Sequence, residues 1–181
     1  QGTPYDPYAG YGESNMRGAY RSIGINRNDF MSLIQINDNR PDDIKAIQWL
    51  SFASNAFNVM VPFYADIETT PDYLSNTTGE VSTDNFYWSS RMMAAMADAY
   101  KKSIFHIERY QEHVLSKGHE IINRYDDMIQ NEADTDKHLA LKHEANQAVA
   151  DMLKAATSDT LGKVLYELSN EMKNAYSRSD A

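Results

Sequence analysis

Hydrophobic residues follow a short period in the first half of the chain and a three-to-four-residue period in the second. Phe30-Met31-Ser32-Leu33-Ile34-Gln35-Ile36 is a compact apolar run closed by Asn-Asp-Asn-Arg-Pro at 37–41, which predicts a strand ending in a turn. From Ile44 to Phe52, one face carries Ile44, Ala46, Gln48, Leu50 and Phe52 and the other Lys45, Ile47, Trp49 and Ser51. Large apolar groups on both sides predict a strand buried on both faces. A third run, Asn58 to Tyr64, contains Val59, Met60, Val61 and Phe63. Pro62 has no N–H for a ladder, so that end is expected at a sheet edge or leaving the sheet. Thr70 before Pro71 predicts a cap and a first helical residue, hence a short helical turn.

Beyond a cap at Thr83 or Asp84 the period changes. Met93, Met96, Tyr100, Ile104, Ile107, Val114, Ile121, Tyr125 and Met128 recur at sums of threes and fours, which predicts one long amphipathic helix weakened at Gly118. After a polar turn from Gln130 to Asp136, a second stripe runs through Leu141, Ala145, Val149, Met152 and Ala156. It pauses at Ser158-Asp159 and resumes with Leu161, Leu165, Leu168 and Met172. Two antiparallel helices are expected, the second broken near Ser158. All five prolines and six of the eight glycines precede residue 83, which agrees with this division. The expected class is therefore α+β, with residues 1–82 supplying coil and strands and residues 83–181 a helical hairpin.

Residues 1–20 set Tyr5, Tyr8, Tyr11 and Tyr20 among glycine and proline. Such a coil has main-chain groups to satisfy and no ladder of its own, so it is expected to pack on structure outside the chain. A start at Gln1 without Met fits the same expectation, a boundary inside a longer protein. No run of about 18 apolar residues and no basic-then-apolar leader occurs, so neither a membrane span nor a signal peptide is expected.

The formal net charge of −9 and a pI near 4.9 argue against nucleic acid as partner, because a duplex binder must neutralise phosphates with clustered Lys and Arg. The charge is that of a soluble surface. Cysteine is absent, so disulfides, thiolate metal sites and a thiol nucleophile cannot come from these 181 residues. The compartment is not fixed by such an absence, and a cytoplasmic location is the expectation. The histidines, His106, His113, His119, His138 and His143, all fall on the helices, none in a metalloprotease spacing. His138 and His143 diverge by about 140° around a helix and His113 and His119 by about 120°, so surface histidines are expected and no metal or cofactor. Asp126, Asp127, Asp134 and Asp136 read as solvated or capping carboxylates, and Met92, Met93 and Met96 as core.

Several segments, in order, carry a resemblance. They are Gly2-Thr3-Pro4-Tyr5-Asp6-Pro7-Tyr8, then Tyr20-Arg21-Ser22-Ile23, Arg27 leading into a strand ending at Gln35, and Ala46-Ile47-Gln48-Trp49. Val61-Pro62-Phe63-Tyr64, Pro71 with Tyr73, and Tyr87-Trp88 follow. This order, over about residues 2–105, resembles the dipeptidase A (PepD-type) family of the N-terminal-nucleophile hydrolases. Ser32 departs from the family, which often has histidine in that strand. The resemblance implies the C-terminal portion of a larger αββα enzyme that hydrolyses dipeptides. An N-terminal cysteine would be the nucleophile and its own α-amino group the base.

On that resemblance the chain alone is expected to be inactive and to need the preceding portion of the same protein. Its own contribution would be substrate binding. Arg27 is the first candidate, as a carboxylate clamp or an oxyanion donor, with Asn26 and Arg21 behind it. A structural role for Arg27 is equally open, and Trp49 and Tyr64 read as core. A dipeptide is the implied ligand and homo-oligomerisation is left open. The alternative, from another class, is a non-catalytic module whose amphipathic hairpin docks a partner protein.

Overall fold

The computed structural model describes residues 28–54 and 56–172. Among them are three antiparallel strands, β1 (Phe30–Ile36), β2 (Ala46–Phe52) and β3 (Val61–Tyr64), in the order β1-β2-β3. Four helices follow, α1 (Asp72–Ser75), α2 (Phe86–Ala99), α3 (Ile104–Asn131) and α4 (His138–Asn170), with 3₁₀ turns at Lys101–Ser103 and Thr135–Lys137. The class is α+β, strands first and helices second.

Register explains which side chains meet the helices. Leu33 faces Trp49, Trp49 faces Pro62, and Ile47 faces Tyr64, so one face of the sheet presents Trp49, Pro62 and Tyr64 together. α3 lies across that face. His119 packs on Trp49 with ring centroids 4.9 Å apart, and the Tyr64 hydroxyl reaches Asp126 at 2.6 Å. Toward the other end of the strands an aromatic ladder links Phe30, Phe52 and Phe86, with centroid separations of 5.7 and 5.3 Å. It ties the first residue of β1 to the first residue of α2. Trp49 Nε1 donates to Gln35 Oε1 at 2.9 Å across the β1–β2 pair.

The expected burial of β2 on both faces is corrected. Ile47, Trp49 and Ser51 are buried, whereas Ala46, Gln48, Leu50 and Phe52 are only half-buried. β3 is the strand buried at every position, and it is shorter than the run Asn58 to Tyr64 suggests. β1 is the opposite case: Phe30, Leu33, Ile34 and Ile36 are each 54–65% exposed. Its apolar residues lie on both faces of a strand that pairs with no described strand except β2.

The helices differ from expectation in two places. The single helix expected from residue 83 is two helices, because Tyr100 takes an extended conformation (φ −146°, ψ 107°). The buried Ser103 hydroxyl lies 2.6 Å from the Tyr100 carbonyl and 3.3 Å from that of Ala97, offering the chain a local alternative to helix continuation. The cap of α2 is Asn85, whose side chain accepts from Trp88 N–H at 2.8 Å. Conversely, α4 runs unbroken through Ser158-Asp159 for 33 residues. Thr157 and Thr160 bond back to Leu153 and Ala156 at 2.7 and 2.9 Å, and Asp159 pairs with Lys163 one turn on, so the polar stretch satisfies itself within the helix. α1 begins one residue later than expected, with Pro71 as its cap.

Gly118 does not weaken α3. A Cβ there would stand 2.8 Å from Pro62 Cδ, so the missing side chain lets helix and strand approach closely. Asn146 of α4 completes the junction from the other side. Its Oδ1 accepts from Tyr64 N–H at 2.9 Å and its Nδ2 donates to Tyr64 C=O at 2.9 Å, so one side-chain amide replaces a neighbouring strand. Asn146 is fully buried. Asn146→Ala leaves both main-chain groups of Tyr64 unpaired and is expected to destabilise the protein by about 2–6 kcal/mol, at roughly 1–3 per buried unsatisfied group. Urea denaturation checks this, and a loss under about 0.5 kcal/mol contradicts it.

Candidate functional site

The three candidates named from the sequence, Arg21, Asn26 and Arg27, lie outside the described residues. Asn28, the residue after Arg27, is where the description begins, and it lines a cleft of about 450 Å³ between the start of β1, the β2–β3 loop and α2. α2 contributes a floor along one face: Arg91, Ala94, Ala95 and Asp98 are spaced three, one and three residues apart. Asp29 reaches across to Arg91 at 2.6 Å, and the guanidinium stands 5.7 Å from the centre of the Tyr87 ring. Phe57 forms the apolar wall.

The corner of the cleft is held by Ala53, a buried residue in the left-handed region with φ 59°. Its N–H donates to the Asp29 carbonyl at 2.8 Å, which pins the β2–β3 loop to the start of β1. Few non-glycine residues adopt this conformation. The cleft thus carries a cation held by one carboxylate at one end and a second carboxylate, Asp98, at the other.

A polar cluster sits at the opposite end of the sheet. Arg40 of the β1–β2 loop pairs with Asp126 of α3 and donates to Asn123 Oδ1 at 3.2 Å. Asp126 is buried and also accepts from Tyr64, whose phenol burial pushes well above the ordinary tyrosine range, so it stays a donor. Asp126 is therefore neither solvated nor a cap, a correction to the sequence reading. Lys142, likewise buried, pairs with Asp66 at 2.5 Å. Each buried charge in this cluster has an opposite partner, which makes it a structural tie between loop, sheet and helices. Among the described residues no group of three or more His, Asp or Glu side chains could hold a metal ion. No helix among them is long and apolar enough to cross a membrane.

His138 is also corrected. It is mostly buried rather than a plain surface histidine. One ring nitrogen lies 2.6 Å from the Asp43 carboxylate and the other 3.0 Å from the Glu132 carbonyl. Both partners accept, so only the imidazolium, with two N–H donors, satisfies both.

Sheet, helices and cleft form one α+β unit. Residues 1–113 match peptidase family C69, and the chain belongs to that family. It is similar to a protein of Bifidobacterium longum (strain NCC 2705) named dipeptidase, with 37% identity over 218 residues covering 99% of this chain and 41% of that protein. It is also similar to a probable dipeptidase A of Streptococcus pyogenes serotype M3 (strain SSI-1), 38% identical over 181 residues, covering 99% of this chain and 38% of that protein. A probable dipeptidase B of Lactococcus lactis subsp. lactis (strain IL1403) is 32% identical, with 99% of this chain and 38% of that protein covered. The chain spans about two fifths of the length of these relatives.

The arrangement of His138 makes stability depend on pH. The Glu132 carbonyl and then the Asp43 carboxylate hold its pKa above the ordinary histidine value, against partial desolvation and Lys142. A raised folded pKa means the contribution is complete below about pH 6.5, the unfolded value, and is lost as pH rises through the folded one. The melting-temperature gap between wild type and His138→Gln is therefore expected to be widest near pH 6 and to narrow above it. A gap that is flat or widens toward alkaline pH rejects the bridge.

Proposed function

We propose that this chain is the C-terminal portion of a dipeptidase, and that the complete protein hydrolyses dipeptides through an N-terminal cysteine supplied by the portion outside these 181 residues. The observation that carries this reading is the family match over residues 1–113 together with relatives named dipeptidases that align over 99% of the chain. In this reading residues 1–82 complete the sheet of an αββα N-terminal-nucleophile hydrolase and residues 83–181 form its helical cover. The exposed apolar residues of β1 support it, since Phe30, Leu33, Ile34 and Ile36 are what a strand in the interior of a larger sheet presents.

In the reaction the thiol attacks the peptide carbonyl and its proton passes to the free α-amino group of the same residue, which returns it to the departing amine as the C–N bond breaks. Water then releases the acyl group from sulfur. Nothing in this chain replaces that nucleophile, because it has no cysteine. Its part is to bind and orient. Arg27, which leads directly into the cleft-lining Asn28 and Asp29, is assigned to the substrate carboxylate or the developing oxyanion, with Asn26 and Arg21 as secondary contacts.

The complete protein is expected to hydrolyse simple dipeptides, and to lose that activity when the N-terminal cysteine is replaced by alanine. The 181-residue chain alone is expected to hydrolyse none. Turnover that survives loss of the thiol rejects the mechanism. Arg27→Ala in the complete protein is expected to lower kcat/KM by about ten- to a thousandfold, from roughly 1.5–3 kcal/mol for a charge-assisted contact or about 2.7–4 for an oxyanion donor. A rise in KM marks the carboxylate role and a fall in kcat the oxyanion role; unchanged kinetics with a lower Tm makes Arg27 structural.

A further inference from the structure

We infer that the cleft between α2 and the start of β1 is the seat of a zwitterionic dipeptide, with Arg91 receiving its terminal carboxylate and Asp98 its terminal ammonium group. This rests on the dipeptidase reading, assigns the substrate-holding residues within it, and of the two roles given to Arg27 leaves it the developing oxyanion. Three observations bear on it, beginning with charge placement on α2. Asp98 lies in the last turn of the helix, where the macrodipole disfavours a negative charge, and among the described residues no hydrogen bond or ion pair holds it. Arg91 lies seven residues nearer the N-terminus, close to the middle of the helix. Helix stability does not account for a carboxylate at the position of Asp98.

Distance is the second observation. Seven residues put the two on the same face of the helix, about 10.5 Å apart along its axis at roughly 1.5 Å per residue. An extended dipeptide spans about 7 Å at roughly 3.3–3.6 Å per residue. The reach of the two side chains closes the difference. Between them Ala94 and Ala95 keep the floor low, and the volume of about 450 Å³ falls in the range of small-ligand pockets.

The third observation is orientation. Asp29 engages Nη1 of Arg91 at 2.6 Å, and the Tyr87 hydroxyl lies 3.4 Å from the same nitrogen. A guanidinium has five N–H donors, so among the described residues the Nη2 edge is left to form a forked contact with a carboxylate. Asp29 is thus a positioning residue for Arg91. Its own place is fixed by the bond from Ala53 N–H to the Asp29 carbonyl. Cation at one end and anion at the other match the two terminal charges that every unblocked dipeptide carries, and the main chain of an internal residue of a longer peptide supplies neither.

The test uses the complete protein with L-alanyl-L-alanine, its C-terminal amide and its N-acetyl derivative, each blocked peptide being measured as substrate or as competitive inhibitor. Arg91→Gln is expected to raise KM for the free dipeptide about tenfold with kcat within about twofold, and to abolish the preference for free dipeptide over amide. Arg91→Lys, which keeps the charge and loses the fork, recovers part of the loss. Asp98→Asn is expected to raise KM for both peptides with a free ammonium group and to leave the N-acetyl peptide unchanged. Variants whose KM for the free dipeptide stays within twofold of wild type, or that weaken all three peptides equally, overturn the site while leaving the dipeptidase reading intact. A wild-type protein that hydrolyses no dipeptide overturns both.

Discussion

The requirement that a buried main chain find partners for its N–H and C=O groups governs this structure. β3 is buried at all four positions, yet among the described strands it pairs with β2 alone. On its other side the main chain of Tyr64 is met by the Asn146 side chain of α4. This one residue dictates how close α4 comes to the sheet edge, and Gly118 dictates how close α3 comes to its face. The aromatic ladder then places α2 at the start of β1. The position of the cleft, wedged between α2 and that strand, is a downstream result of the same constraint.

Much of the architecture was legible in the apolar pattern. The span of β1 is Phe30–Ile36 as expected, and the stripe of Ala145 and Val149 on α4 and of Ile107, Val114 and Ile121 on α3 is the observed core. What escaped the pattern was decided by single polar contacts. The break at Tyr100 has no glycine or proline to announce it and depends on a serine hydroxyl three residues on. The continuity of α4 past Ser158-Asp159 depends on threonines bonding backwards into their own helix. Periodicity registers where apolar side chains point, and it is blind to how hydroxyls dispose of their hydrogen bonds.

The site was less legible, for a different reason. Arg27 was reached through resemblance, while Asp29, Arg91 and Asp98 come from two elements about 60 residues apart in sequence and meet only through folding. The one local signal was a carboxylate, Asp98, in the last turn of a helix, which an amphipathicity count passes over. Asp126 and His138 hid similarly: each sits beside a helix end, where carboxylates and imidazoles are ordinary surface groups. Their partners come largely from elsewhere in the fold, Arg40 and Asp43 from the β1–β2 loop and Tyr64 from β3.

The exposed strand β1 has a consequence for handling the molecule. A strand with Leu33, Ile34 and Ile36 more than half exposed is a template on which another β-strand can lie, and natural proteins usually blunt such edges with charge or proline. β1 has neither between Phe30 and Ile36. On its own, the chain should therefore self-associate through this strand before it unfolds. Its yield as a separate polypeptide would be limited by colloidal behaviour, and a lysine at position 34 would be the least invasive remedy.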